Sequence, residues 1–176
     1  MEDLFPANRV KEKIGLFAAT LVHNKDYEEI KKFPGVMEAF AAKKRIDIVV
    51  TSMGDMNDEH DLFRTFLSQR PEKLTWLEKK GCIGNVQYRP YSAKGPILED
   101  SGDVLRAVTL FELAELVTLS MQKNKHVILI GRQCGVCGLT RARSLRPILE
   151  NSDLRVFSVL VIDSATAHEL LNPPKE

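Results

Sequence analysis

The chain has 176 residues, 44% hydrophobic and 28% charged, which suits one domain with a real core and is too short for two. Its 25 Lys and Arg residues balance 24 Asp and Glu residues, so the net charge of +1 gives no electrostatic reason to expect binding to nucleic acid. No stretch reaches the ~20 apolar residues of a membrane span, and the N-terminal residues lack the apolar core of a signal peptide. With three cysteines, an odd number, we expect a cytoplasmic protein with reduced thiols and no membrane partner.

Short apolar runs alternate with amphipathic, helix-length stretches along the whole chain. The first half of the chain predicts a strand at 14–22, helices at 26–32 and 36–44, a strand at 46–52, a helix from Asn57 or Asp58 to Gln69, and a helix at 72–80. A strand at 83–88, a loop at 89–102 and a strand at 104–108 follow, and then a helix that ends at Met121 and whose start is capped by Thr109 with Glu112. The last predicted elements are strands at 126–130 and 156–162 and helices at 140–149 and 165–171.

This alternation predicts the fold class. Helices between strands favour crossover connections, and the runs IDIVV, HVILI and VFSVLVI are continuously apolar, as in strands buried on both faces. We therefore predict an α/β fold, a mainly parallel sheet with helices on both faces, in a single domain of residues 1–176.

Ligands of open α/β sheets bind beyond the carboxyl ends of the strands, where this chain is polar or rich in glycine. Such ends are predicted at residues 51–55, 84–85, 131–141 and 163–166. The loop 131–141 carries three glycines and leads into a helix N-terminus, which favours an anion, and two arginines could bind a phosphate. A glycine-rich turn with arginines facing solvent explains the same residues equally well. The residues concerned are Gly131, Arg132, Gly135, Gly138 and Arg141.

A cysteine pair and an acidic cluster could each have a functional or a structural role. Cys134-x-x-Cys137 lacks a second cysteine pair or paired histidines for zinc, and lacks the Trp and Pro context of thioredoxin-like redox sites, so we interpret it as a tight turn. Asp55, Asp58, Glu59 and Asp61, with His60, could serve acid–base or metal chemistry, but acidic residues are favoured at a helix start in any case. We predict no catalytic residue, no metal and no cofactor.

The segments LFAATLV, DIVVTSMGD, KKGCIGNVQYRPYSAKGPI and VLRAVTLFELAEL precede an ending with the pattern D-x-x-T-A-x-x-L-L, which is the most specific of them. Taken in this order, they resemble the C-terminal effector domain of SorC/DeoR-type bacterial transcriptional regulators. The fold of that domain is similar to that of the sugar-phosphate isomerase and CoA-transferase group. The ending comprises Asp163, Thr166, Ala167, Leu170 and Leu171.

The resemblance implies a phosphorylated sugar or related metabolite as ligand, and self-association. The acidic sugar contact of that family falls on Asn85, its phosphate-binding lysine on Arg141, and the first glycine of its Gly-x-Gly segment on Ser52. The helix-turn-helix module and first phosphate loop of the family have no counterpart before Leu16, so we expect no direct nucleic-acid contact from this chain alone. The predicted ligand-binding residues are Ser52, Gly54, Asp55, Asn85, Gly131, Arg132, Gly135, Gly138 and Arg141.

Two alternatives to an effector-binding domain stay open. One is a free-standing isomerase-like enzyme, with Asp55 or Asp58 as the base that moves a proton next to a carbonyl. The other is a structural remnant that only self-associates.

Overall fold

The elements of the fold follow from a computed structural model that describes residues 12–100 and 104–173. The strands are β1 (Leu21–His23), β2 (Ile48–Asp55), β3 (Gly84–Val86), β4 (Arg89–Ser92), β5 (Gly95–Pro96), β6 (Leu105–Ala107), β7 (His126–Gly131) and β8 (Val159–Ile162). The helices are α1 (Tyr27–Ile30), α2 (Pro34–Ala42), α3 (Leu62–Ser68), α4 (Pro71–Lys79), α5 (Leu113–Ser120), α6 (Ala142–Glu150) and α7 (Ser164–Leu171). Within these two ranges no helix is long and apolar enough to cross a bilayer.

Six strands form one mixed sheet in the order β5-β4-β3-β2-β7-β8, and β1 pairs with β6 in a separate antiparallel ribbon. The pairs β2–β7 and β7–β8 are parallel, whereas β2–β3, β3–β4 and β4–β5 are antiparallel. The predicted α/β class is confirmed, but the sheet is mixed rather than mainly parallel. Two of the three antiparallel pairs arise because the predicted loop 89–102 forms the short strands β4 and β5. The third arises because β3, in the predicted strand 83–88, runs antiparallel to β2. Residues 101–103 of that loop lie outside the described residues.

The parallel half of the sheet has one covered and one exposed face. Val49, Val127 and Leu129 point into the main core, where they pack with residues of α5 and α6 such as Leu116 and Leu145. The opposite face keeps much of its apolar surface exposed in the described part of the chain: Ile48, Val50, Ile130, Val159 and Val161 are 37–62% exposed. Among residues 12–100 and 104–173, the prediction that helices cover both faces therefore holds for one face only, because a continuous apolar run does not reveal what packs on each side of a strand.

A second core lies under α3 and α4. Phe63 and Leu67 of α3 and Leu77 of α4 are almost fully buried, and they pack with Met56 and Ile97. This core fixes the start of α3 next to the turn between β3 and β4, and that arrangement forms one wall of the site described below.

Several predicted boundaries move because local hydrogen bonds decide them. Of the predicted strand 14–22 only the end, β1, pairs with a neighbour. Helix α3 begins later than predicted, since Asp61 rather than Asn57 or Asp58 accepts the hydrogen bond from the Arg64 N–H, at 3.1 Å. Helix α5 is capped by Glu112, which forms a reciprocal capping box with Glu115, and not by Thr109.

Candidate functional site

A cavity of about 270 Å³ lies at the carboxyl end of β2, between the start of α3, the β3–β4 turn and the loop before α6. This is the position at which open α/β sheets bind ligands. Its lining residues are Thr51, Ser52, Met53, Gly54, His60, Asp61, Leu62, Phe63, Asn85, Gln87, Tyr88 and Arg141. Four of the nine residues predicted to bind a ligand are thus brought together: Ser52, Gly54, Asn85 and Arg141.

Gly54 allows two polar side chains to meet at the cavity. Gly54 and Asn85 are opposite each other in the β2–β3 pair, and Asn85 Nδ2 donates to Asp61 Oδ1 at 3.3 Å. A Cβ atom on Gly54 would overlap the Asp61 carboxylate and the Asn85 amide, so this approach requires glycine. Burial raises the pKa of Asp61, against the lowering effect of the hydrogen bond from the Arg64 N–H.

Asp61 belongs to the acidic cluster predicted at a helix start, and this role is confirmed, because Asp61 caps α3. The sequence did not place it in the predicted ligand set. In the structure it stands beside Asn85, the position that the resemblance assigns to a sugar hydroxyl contact. The site therefore has a carboxylate next to the amide, although the carboxylate comes from another segment of the chain.

Arg141 is 8% exposed and contributes the positive charge of the cavity wall. Its Nη2 donates to Asp58 Oδ2 at 2.7 Å, while its Nε is buried and has no partner among the described residues. Burial raises the pKa of Asp58, but the hydrogen bonds from the His60 N–H and the Arg141 guanidinium outweigh that effect and lower the pKa to about 2. The pair is therefore ionised at neutral pH, and a buried donor of Arg141 remains unused.

Asp55 lies behind the cavity and is not among its lining residues. Its side chain is 1% exposed, and Oδ1 accepts hydrogen bonds from the Asn57 N–H at 2.8 Å and from Arg143 Nη2 at 2.7 Å. Oδ2 is buried without a partner in the described part of the chain. Asp55 is thus bonded to Arg143 of α6 outside the cavity, and its direct contact with a ligand stays a prediction.

The glycine-rich loop after β7 divides into two parts. Gly131 is buried under Met53 and Ile162, and does not line the cavity. Arg132, Gly135 and Gly138 are exposed and also lie outside the lining set, so the predicted phosphate loop contributes only Arg141 to the cavity. The alternative interpretation, a turn with an arginine facing solvent, describes Arg132.

Asp163 fastens this loop to α7. Its Oδ1 caps the helix by accepting the Thr166 N–H at 2.8 Å, and its Oδ2 accepts the Gln133 N–H at 2.6 Å. The hydrogen bond from Thr166 contributes most to lowering the pKa of Asp163. Thr166 Oγ1 in turn accepts the backbone N–H of Arg141 at 3.3 Å. The D-x-x-T pattern therefore holds Arg141 in position without itself lining the cavity.

The β3–β4 turn forms a wall that the sequence did not predict. Its two central residues, Gln87 and Tyr88, have φ angles of 53° and 61°, which are uncommon for residues other than glycine. The Tyr88 N–H donates to Asn85 Oδ1 at 3.3 Å, and its ring lies 6.0 Å from that of Phe63. Strained backbone of this kind is concentrated at functional sites. Neither residue is Gly, Asn or Asp, the types that indicate a turn of this kind, and so the sequence does not predict it.

The chain can be compared with known proteins. Residues 10–172 match a family model described as "Putative sugar-binding domain". Among solved structures, the chain is similar to a DeoR family transcriptional regulator from Listeria monocytogenes, with a TM-score of 0.62 and 17% identity, covering 88% of this chain and 57% of that one. It is also similar to a structure described as "Putative Sugar-Binding Domain of Transcriptional Repressor" from Vibrio fischeri, with a TM-score of 0.61 and 15% identity, covering 89% of this chain and 57% of that one. A third is the full-length sorbitol operon regulator SorC from Klebsiella pneumoniae, with a TM-score of 0.57 and 18% identity, covering 88% of this chain and 43% of that one.

At these identities the structural likeness shows a shared fold, and the chain spans about half the length of the solved structures it matches. A comparison with curated proteins gives no significant match. The family match extends over nearly the whole chain, and it confirms the resemblance predicted from the sequence.

Proposed function

The chain belongs to the sugar-binding domain family, and on that premise we propose that it is the effector-binding domain of a sugar-responsive bacterial transcriptional regulator. We propose that this domain binds a phosphorylated sugar in the cavity at the carboxyl end of β2. The observation that carries the proposal is the unused, buried Nε of Arg141 on the wall of a cavity that also contains Asp61 and Asn85. Arginine suits a phosphate, and carboxylate and amide groups suit sugar hydroxyls. An isomerase-like fold, a single domain and a cytoplasmic location belong to the same proposal.

The test is a thermal-shift and calorimetric titration of the chain with a panel of pentose and hexose phosphates and the corresponding free sugars. Occupancy at a hundred times the dissociation constant stabilises a protein by about 2.7 kcal/mol, which raises the melting temperature measurably. We expect a stabilising sugar phosphate and a weaker effect of its free sugar.

Arg141→Lys keeps a charge beside Asp58 but removes the guanidinium, and we expect it to weaken phosphate binding at least tenfold. Arg132→Lys is the matched control, because Arg132 is an exposed arginine of the same loop that does not line the cavity. The proposal is wrong if no member of the panel stabilises the chain, or if the two variants lose affinity equally.

The enzyme alternative has less support. The two carboxylates considered as the base, Asp55 and Asp58, are each bonded to an arginine at 2.7 Å. A carboxylate with a pKa of about 2, as in Asp58, is a poor acceptor for a carbon-bound proton near neutral pH. The solved structures compared above are regulators by their descriptions, which agrees with a binding role.

We also propose that the chain self-associates through the exposed face of β2, β7 and β8, with a second copy as the partner. Apolar side chains at this density are uncommon on the surface of monomers, and Val50 and Val159 stand next to the same residue, Ile128, in the sheet register.

Sedimentation equilibrium is expected to give at least a dimer. The change Val50→Lys is expected to shift the equilibrium towards monomer, whereas Leu171→Lys, an exposed apolar residue of α7, serves as control. A wild-type chain that is monomeric at micromolar concentration would overturn this proposal.

A further inference from the structure

Two loops bring four potential metal ligands together beside Arg141. Asp58, His60, Cys134 and Cys137 each offer one ligand atom, and the four atoms all lie within 4.8 Å of one another. In a tetrahedral zinc site with Zn–S near 2.3 Å and Zn–N near 2.0 Å, the ligand atoms are about 3.3–3.8 Å apart. The spacing here is close to that of a zinc site and needs only small side-chain movements.

The cysteine pair lies on a turn that presents both sulfurs to one side. The Cys134 N–H donates to the Leu139 carbonyl at 2.8 Å, and the Gly138 N–H donates to the Cys134 carbonyl at 2.9 Å. Gly138 has φ of 72°, which lets the chain turn sharply after the second cysteine.

The two carboxylate oxygens of Asp58 face different groups: Oδ1 faces the other three potential ligands, and Oδ2 faces Arg141. Oδ1 lies 3.4 Å from His60 Nδ1 and 3.6 Å from Cys137 Sγ, whereas Oδ2 accepts the hydrogen bond from Arg141. A ligating carboxylate is commonly oriented by such an outer partner. Oδ1 also accepts the His60 N–H at 2.9 Å, which leaves it one lone pair for an ion while Arg141 holds the carboxylate in place.

Burial gives the cluster a closed side and an open side. Asp58 and Cys134 are 1% and 8% exposed, whereas His60 and Cys137 are exposed. A cavity of about 350 Å³ lined by His60 and Cys137 adjoins the open side, so an ion can enter from solvent. Two thiols, an imidazole and a carboxylate form a mixed donor set that favours zinc over the hard cations magnesium and calcium.

We propose that Asp58, His60, Cys134 and Cys137 bind a zinc ion. In the sequence, Cys134-x-x-Cys137 has no further zinc ligands at the usual spacing, whereas the fold supplies Asp58 and His60 from the turn before α3. On binding, the two thiols release their protons to solvent and both sulfurs bond to the metal. The ion ties the turn that carries Asp61 to the loop that carries Arg141, and so fixes two walls of the cavity.

The test measures zinc alone. The full chain, reduced and purified, is dialysed against excess zinc and then metal-free buffer, and its zinc content is measured by mass spectrometry. We expect about one zinc per chain. Reconstitution with cobalt(II) is expected to give the visible absorption of a tetrahedral ion together with a thiolate-to-cobalt charge-transfer band.

Cys137→Ser and His60→Ala change exposed side chains and are expected to leave the fold intact by circular dichroism while weakening zinc binding at least about tenfold. Cys82→Ser is the matched control. That cysteine donates to the Gly84 carbonyl at 3.5 Å, and burial raises its pKa to about 12, so it is a structural thiol outside the cluster.

Two results would overturn the proposal. They are a wild-type chain that retains no zinc, and a loss of zinc in Cys82→Ser equal to that in Cys137→Ser. Because the readout contains no sugar, a chain that binds zinc but no sugar phosphate, or the reverse, separates this proposal from the proposed function.

Discussion

Replacing Glu99 by alanine is expected to lower the free energy of unfolding by about 3–5 kcal/mol, the largest effect that we predict for a single side chain. The side chains of Lys73 and Glu99 are 5% and 3% exposed, and Lys73 Nζ lies 2.7 Å from Glu99 Oε1. Arg89 is equally buried, with Nη1 at 3.7 Å from Glu99 Oε2. Removing the carboxylate leaves a buried ammonium without its counterion, and an isolated charge of that kind is strongly destabilising.

The loss of stability in Glu99→Ala is expected to become smaller as the pH rises. Burial already lowers the pKa of Lys73, against the raising effect of Glu99, and without Glu99 the pKa falls further. A lysine whose folded pKa is depressed makes the folded state less stable as the pH falls, because the unfolded chain then binds the proton more readily. The difference in stability between wild type and Glu99→Ala should therefore shrink as the pH rises from 7 towards the ordinary pKa of lysine.

Chemical denaturation at several pH values measures the effect. Glu150→Ala is the matched control, since Glu150 forms an exposed pair with Arg146 at 3.8 Å and should change the stability by less than about 0.5 kcal/mol. The double variant Lys73→Met with Glu99→Leu should lose less than the sum of the two single changes, because it removes both charges together. A Glu99→Ala variant as stable as Glu150→Ala would show that the buried pair contributes no net stability.

The pair between Lys73 and Glu99 illustrates which parts of the fold are visible in a sequence. The strands β2 and β7 could be predicted because IDIVV and HVILI carry their own local signal. The partner of Lys73 could not, because it comes from a segment with Pro96 and other turn residues that indicated a loop. Buried charged residues carry no local mark that distinguishes them from exposed ones, and only the tertiary contact of α4 with residues 99 and 105 explains them.

The same distinction applies to the candidate site. Gly54 and Arg141, which line the cavity, could be predicted because glycines and polar residues at the carboxyl ends of strands form a local pattern with a general reason behind it. The prediction that Asn85 also ends a strand was wrong, because it lies inside the antiparallel strand β3, yet it lines the same cavity. Asp61 and Tyr88 were missed because their roles depend on how α3 and the β3–β4 turn pack against β2. Arg132 and Gly135 were included because loop composition alone does not say which loop residues face the cavity and which face solvent.

Gly54→Ala is expected to damage the candidate site directly and to reduce stability by about 1–3 kcal/mol. The added Cβ would overlap the Asp61 carboxylate and the Asn85 amide. Neither group can move freely, since Asp61 caps α3 through the Arg64 N–H, and Asn85 is held opposite Gly54 in the sheet. If Asp61 turns away, the cap is lost at a cost of about 1 kcal/mol. If the proposed function is right, displacement of the two groups proposed to bind sugar hydroxyls should weaken binding by about tenfold or more.

Gly135→Ala provides the control, because an added Cβ there would meet nothing within 4 Å, and its φ is not positive. It should leave both the stability and the affinity close to those of the wild type. Adding Asp61→Ser to Gly54→Ala shortens the overlapping side chain but keeps an oxygen that can cap α3. The double variant should therefore lose less stability than the sum of its single changes, which denaturation and calorimetry can measure. If Gly54→Ala and Gly135→Ala behave alike, the close approach of β2 to Asp61 does not constrain residue 54, and the walls of the cavity are more adaptable than their packing implies.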